Sequence, residues 1–389
     1  MYGRIMKIGI LTQPLHNNYG GILQNYALQQ ILIQMGIDPV TIDHTSRRLS
    51  WWKNILFKTY YFGWLLLHPS FYKDQKYQPT SKENAIICKN TGRFINKYIN
   101  KTDPFHCDKD LQVIIKDGNF DGYVVGSDQC WRPIYSGGFL KEMFLNFASE
   151  DTKRVAYAAS FGTDQWEFTS QMTEECARLA KRFDLITVRE ASGVTLCREH
   201  LGVEAKHVLD PTMLLNREDY ENVVKAEQEP ASPGTLFYYI LDPSDEKRGL
   251  MERMAAECGM QLFSTMPKFQ VENRTKWAVK HRIEDCVFPS VTSWLRGFMD
   301  AEMTVIDSFH GVVFSIIFNK PFWVIGNKKR GNARFESLLG MFGLEDRMIS
   351  PDDFSAVDWQ SPINWHCVNE IREREKARCV GLLKDAFRR

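Results

Sequence analysis

Residues 304–334 read TVIDSFHGVVFSIIFNKPFWVIGNKKRGNAR. Thr304-Val305-Ile306 is a short β-branched run and reads as a buried strand. Asp307 and Ser308 are N-cap residue types, and Gly311 follows His310 in a tight turn. Val312 to Phe318 is then a short apolar helix, stopped by Asn319-Lys320-Pro321, and Phe322 to Ile325 is the next strand. Strand, turn, helix and strand form one unit of a parallel α/β sheet, whose ligands collect at the carboxyl ends of the strands. His310 stands at such an end, beside a helix N-terminus whose free N–H groups favour an anion. Lys328, Arg330 and Arg334 follow the next strand and can reach the same edge. The expectation is a small-anion site with a titratable group against it. Taken singly, a histidine in such a turn is more often structural than catalytic, and the basic cluster reads as a solvated loop. Their convergence on one edge favours a site.

Outward from this stretch the same unit recurs. Ile5 to Thr12 is a strand, Ile22 to Met35 a helix, and Pro39 to Asp43 a second strand. The loop between the first strand and the helix holds no GxGxxG, so a dinucleotide fingerprint is not supported. Gly20 and Gly21 let a ligand approach the backbone, and Asn17, Asn18 and Asn25 offer neutral hydrogen bonds; an ordinary βα turn explains them as well. Strand Tyr123 to Val125 leads into Gly126-Ser127-Asp128-Gln129-Cys130-Trp131. Asp128 is the candidate carboxylate for binding or deprotonating a hydroxyl, or an Asx turn. Ser127 and Gln129 flank it, and Trp131 either stacks on a sugar or fills core. Arg189 ends the strand Leu185 to Arg189, placed to grip a carboxylate or phosphate, or to pair with Glu190 or another acid. Asn216 to Gly234 is polar and contains EQEPASPG, the composition of an interdomain linker. The reading is therefore α/β, with two Rossmann-like domains facing a cleft: residues 1–215, linker 216–234, residues 235–349, and a helical tail 350–389.

Bulk properties narrow the function. A chain of 389 residues exceeds what one core usually holds. Lys plus Arg number 49 against 48 acids, a net charge of +1, which argues against nucleic acid as partner. The nine cysteines are odd in number and include no CxxC, so free thiols in a reducing cytoplasm are the simplest account; no metal-ligand spacing is visible. No secretory signal and no membrane-spanning run is present. Residues 50–77 interleave aromatics with Lys53, Lys58, Lys73 and Lys76. Such a stretch either lies in a membrane interface or packs as an insertion against its own domain or a dimer partner. Oligomeric state stays open.

NNYGGILQNYAL, VVGSDQCW, ITVREASGVTLC with VLDPTMLL, and IDSFHGVVFSIIFNKPF with GNARFESLL resemble, in order and spacing, the polysaccharide pyruvyl transferase family. The resemblance spans about residues 7 to 350. It implies two Rossmann-like domains in a GT-B-like layout, the first on the acceptor side and the second on the donor side. It also implies transfer of the enolpyruvyl carbons of phosphoenolpyruvate to a sugar, forming a ketal and releasing phosphate, without a cofactor. His310 would protonate the donor methylene. Arg189 would hold its anionic groups, helped by Lys328, Arg330 or Arg334. The first βα loop departs from relatives that carry an acidic residue there, so the base falls to Asp128, with His16 behind it. A polyprenyl-linked sugar or growing glycan would be the acceptor, and residues 50–77 would hold the enzyme at the inner face of the cell membrane. The competing functions are a GT-B glycosyltransferase using a nucleotide sugar and a non-catalytic glycan-binding protein.

Overall fold

The computed structural model describes residues 4–44, 79–270, 275–326, 332–350 and 357–388. Insertion 50–77, Lys328 and Arg330 lie outside the described residues. Eleven strands among them form two sheets. The strands are β1 Lys7–Leu11, β2 Asp38–Thr41, β3 Gly122–Val125, β4 Lys153–Ala159, β5 Leu185–Val188, β6 Lys206–His207, β7 Leu236–Tyr239, β8 Leu262–Phe263, β9 Met303–Ile306, β10 Phe322–Ile325 and β11 Met348–Ile349. The first sheet runs β2-β1-β3-β4-β5-β6 and the second β11-β10-β9-β7-β8, with every pairing parallel. Parallel sheets are covered on both faces, so their strands are apolar throughout. Strands β3 and β9 are buried at every residue. The protein is thus two Rossmann-like α/β domains across a cleft, the GT-B-like layout.

Two helices explain how the domains meet. Helix Tyr19–Gln34 starts at Asn18, whose Oδ1 accepts from the Gly21 N–H at 3.1 Å. It is buried on nearly every side because its first turn crosses to the second domain. Tyr19 stacks on Trp294 at 5.6 Å and donates its hydroxyl to the Pro289 carbonyl at 3.0 Å. Helix Phe309–Ile317 is buried along its whole length, being apolar except for His310 and Ser315. Its Phe314 meets Tyr220 edge-on at 5.0 Å.

Several expectations change. Residues 217–226 form a helix, Arg217–Ala226, and not an open linker. Tyr220, Val223 and Val224 bury one face at i, i+3 and i+4, and a capping box through Asn216 and Asp219 starts it. Residues 81–98 form two helices, Ser81–Ile87 and Lys89–Tyr98, which meet at Cys88. The tail helix Trp365–Phe387 returns to the first domain, where Arg372 donates to the Leu215 carbonyl at 2.7 Å and Arg378 to the His207 carbonyl at 2.7 Å. No helix among the described residues is long and apolar enough to cross a membrane.

Candidate active site

The strand orders place the site. The first sheet reverses direction between β1 and β3, and the second between β7 and β9. Ligands sit outside the carboxyl ends of strands at such reversals. Here both reversals open on one cavity of about 480 Å³. Asn17, Asn18, Gly20, Asp128 and Gln129 line it from the first domain, and Ser308, His310 and Arg334 from the second. Tyr135, Tyr239, Phe288 and Phe335 give it apolar walls.

Ser308 caps helix Phe309–Ile317, its Oγ accepting from the Gly311 N–H at 3.0 Å. That start sets His310 on the first turn. Gly20 makes room for the ring: a Cβ on Gly20 would fall 2.1 Å from His310 Nδ1. His310 Nε2 lies 3.5 Å from Asp210 Oδ2, an ion-pair contact too long to count as a hydrogen bond, so Nε2 is enclosed without a hydrogen-bond partner. Asp210 Oδ1 accepts from the Thr212 N–H at 3.0 Å and its hydroxyl at 2.7 Å. Asp210 Oδ2 accepts from the Ser127 hydroxyl at 2.8 Å and Arg189 Nη1 at 3.1 Å.

Arg189 also pairs with Asp128 Oδ1 at 3.3 Å, and its guanidinium lies 4.3 Å over the Phe309 ring. Asp128 stands at φ +71°, a left-handed conformation that Asp tolerates when its carboxylate bonds locally. Its Oδ1 accepts from the Gln129 N–H at 2.9 Å and its Oδ2 from Asn18 at 3.3 Å. Burial works to raise the pKa of both carboxylates. The opposing charges win. Arg189, then His310 and Arg334, hold Asp128 below the usual range. His310 and then Arg189 hold Asp210 well below it. An opposite charge at such range is worth about 5 kcal/mol at an effective dielectric of about 20, enough to decide the sign.

Arg334 is different. It is half-buried, its Nε is enclosed without a partner, and it makes no hydrogen bond or ion pair with a described residue. Burial, then the nearby Arg189 charge, brings its pKa down to about 10. It stays cationic at neutral pH, with its charge unspent beside the cavity. His16 lines the same cavity from the loop after β1. Its ring keeps solvent contact but lies in a concave wall, and that enclosure lowers its pKa against the smaller effects of Asn17 and Asp43.

The sequence profile "Polysaccharide pyruvyl transferase" matches residues 18–329, which include Asn18, Gly20, Asp128, Arg189, Asp210 and His310 of this site but not His16, Asn17, Arg334 or Phe335. The chain belongs to the polysaccharide pyruvyl transferase family. It is accordingly a transferase acting on polysaccharide. No curated protein matches it. Among solved structures, the Methanocaldococcus jannaschii UDP-GlcNAc 2-epimerase in complex with UDP-GlcNAc and UDP is similar at 11% identity and a TM-score of 0.47, over 95% of this chain and 93% of that one. Medicago truncatula UGT71G1 complexed with UDP-glucose is similar at 10% identity and a TM-score of 0.46, over 98% of both chains. The glycosyltransferase SnogD from Streptomyces nogalater is similar at 10% identity and a TM-score of 0.41, over 98% and 100%. Likenesses this distant carry no chemistry.

Within this pyruvyl transferase family site, some sequence candidates take other roles. Trp131 is fully buried, stacked on Phe144 at 4.6 Å with Nε1 donating to the Met143 carbonyl at 2.9 Å; it fills core and does not face a sugar. Asn25 is buried, its Oδ1 accepting from the Thr41 hydroxyl at 2.8 Å, away from the cavity. Gly21 does not line the cavity either; its N–H serves the Asn18 cap. Ser127 lies beneath the floor as a strut on Asp210. Arg189 is only 2% exposed, and two acids already take its Nη atoms, so it fixes the floor and is not a free anion ligand. Asp128, held ionised by that pairing, is a poor base. Two residues with roles at the site are missing from the sequence candidates: Asp210 and Tyr135. The only sequence signal for Asp210 is its place at a strand's carboxyl end.

Proposed function

We propose that this family member transfers the pyruvyl carbons of phosphoenolpyruvate onto two hydroxyls of one sugar, forming a ketal and releasing phosphate. The observation that carries the reading is Arg334: an unpaired cation lining the same cavity as His310 and the N-terminus of helix Phe309–Ile317. A compact anion suits it. His310 gives a proton to the donor's methylene carbon, and C2 becomes oxocarbenium-like. A sugar oxygen bonds to C2 as its hydroxyl proton leaves to His16. The C2–O bond to phosphate then breaks, and phosphate departs on the cations. The second hydroxyl bonds to C2 and closes the ketal, its proton passing to His310, which gave one up in the first step. Asp210 orients His310, and Arg189 holds Asp210 and Asp128 in place.

His16 takes the base role from Asp128 because it is not tied to a cation. Its lowered pKa leaves it neutral, and so able to accept a proton, at neutral pH. Replacing His16 with Gln should lower kcat about a hundredfold and remove the acid limb of the pH profile, with donor binding intact. An unchanged acid limb would assign that limb elsewhere.

The acceptor in this reading is a polyprenyl-linked sugar or growing glycan, and residues 50–77 bring the enzyme to the membrane face. Liposome flotation of the protein with and without 50–77 checks the latter; equal partitioning counts against it. The decisive experiment incubates lipid-linked sugars with phosphoenolpyruvate and looks by mass spectrometry for a gained pyruvate ketal. His310→Ala should abolish it while circular dichroism stays native. Calorimetric binding of a nucleotide sugar, with none of phosphoenolpyruvate, would overturn the assignment.

A further inference from the structure

We infer that Tyr135 is the platform on which the acceptor's pyranose ring stacks, an inference that rests on the sugar-accepting function proposed above. The short helix Pro133–Ser136 follows the buried Trp131 and carries Tyr135 to the cavity wall. There Tyr135 is 52% exposed, so a large part of its apolar ring faces the cavity and solvent.

The ring is also braced. The Arg132 guanidinium lies 5.5 Å from its centroid. Arg132 is itself fixed: Nε and Nη2 donate to the two Glu167 carboxylate oxygens at 2.9 and 2.8 Å, and Nη1 to Gln129 Oε1 at 3.1 Å. A ring held before the ligand arrives loses little freedom on binding.

Position gives the ring its purpose. Tyr135 and Arg334 line the same cavity, as does His310. A sugar lying on the ring therefore shares the cavity with the anion that Arg334 holds. The C–H face of a pyranose is apolar and its edge is polar. It matches an aromatic face whose surroundings carry cations and amides. A pyranose with one uninterrupted C–H face fits; one with axial hydroxyls on both faces does not.

The test uses the full chain and methyl glycosides of galactose, glucose and mannose as probes. Saturation-transfer NMR with phosphate present reads sugar contact, and phosphate-induced thermal stabilisation reads the anion site separately. Tyr135→Ala should weaken the sugar signal about tenfold and leave the phosphate-induced shift unchanged. Tyr135→Phe should keep the sugar signal within about twofold, because the ring face and not the hydroxyl makes the contact. Equal sugar signals for wild type and Tyr135→Ala overturn the platform, as does Tyr135→Phe failing as badly as Tyr135→Ala. Wild-type protein that is stabilised by phosphate but contacts none of the glycosides overturns it too. Loss of the phosphate shift with sugar contact retained instead counts against the donor reading alone.

Discussion

Gly20 and His310 act as one unit although they belong to different domains. The glycine has no special backbone angle; what it supplies is the absence of a Cβ where the imidazole sits. Gly20→Ala should push the ring off its position and cost at least about a hundredfold in turnover, with about 1–3 kcal/mol of stability. The double variant with His310→Ala should be no slower than His310→Ala alone. Additive losses in that cycle would separate the two residues. Arg334 makes the opposite trade. Its unpaired charge is a cost to the empty protein, so Arg334→Leu should leave melting unchanged or raise stability by about 1 kcal/mol, while abolishing stabilisation by phosphoenolpyruvate. Its pKa is lowered to about 10, so the cation is present below that pH and lost above it. Donor binding in the native protein should weaken as pH rises through about 10, read by titration calorimetry. Binding that ignores Arg334→Leu would move the anion elsewhere.

Among the elements, the buried floor built on β3, β5 and the Asp210 turn has its own pH signature. Asp210 and Asp128 have folded pKa values below their ordinary 3.8. Their stabilising effect is therefore complete above that value and lost as pH falls through the folded values, in strongly acid solution. Asp210→Asn leaves Arg189 half-paired and should cost roughly 3–5 kcal/mol at pH 7. The gap between the urea midpoints of native and variant protein should persist to about pH 4 and close only below it. A gap that closes near neutrality would show another group in control. Elements also show what the sequence can carry. Strands such as β9 and β10 are legible because parallel strands buried on both faces are continuous apolar runs. Helix Trp365–Phe387 lies inside the expected helical tail, 350–389, having enough turns for its pattern to dominate. Helix Asp108–Gly118 escapes because it buries only Leu111, and Arg217–Ala226 escapes because the polar run after it masks three buried residues. The site divides in the same way. His310 and Arg334 announce themselves by residue type at a strand edge. Trp131 and Tyr135 exchange roles, because no local pattern says which aromatic turns inward.

At the scale of the whole molecule, each sheet packs an apolar cluster of its own on one face, and the two share a larger one. One apolar cluster runs from Ile8 in β1 through Tyr19, Tyr220, Trp294 and Phe314 to Phe387 at the end of the tail helix. Hydrogen bonds cross as well: the Phe288 N–H donates to the Ile87 carbonyl at 2.9 Å, and Ser337 Oγ accepts from the Ala191 N–H at 3.0 Å. Domains that move freely usually meet through polar surfaces. Here helix Tyr19–Gln34 is buried against both domains, and the Trp365–Phe387 helix, following the second domain in the chain, packs back on the first. Pulling the domains apart would expose Tyr19, Trp294 and Phe314 together. At about 1.5–3 kcal/mol for each large apolar side chain, that exposure rivals the whole net stability of a typical domain. The two halves should therefore unfold together. Scanning calorimetry should give a single transition whose calorimetric and van't Hoff enthalpies agree. A variant ending at residue 364 should lose cooperativity or fail to fold, because Leu383, Cys379 and Phe387 would leave the core they fill. Two resolved transitions in the intact protein would mean that the shared cluster is weaker than its burial implies, and that the cleft carrying His310 and Gly20 opens by hinge motion between independent lobes.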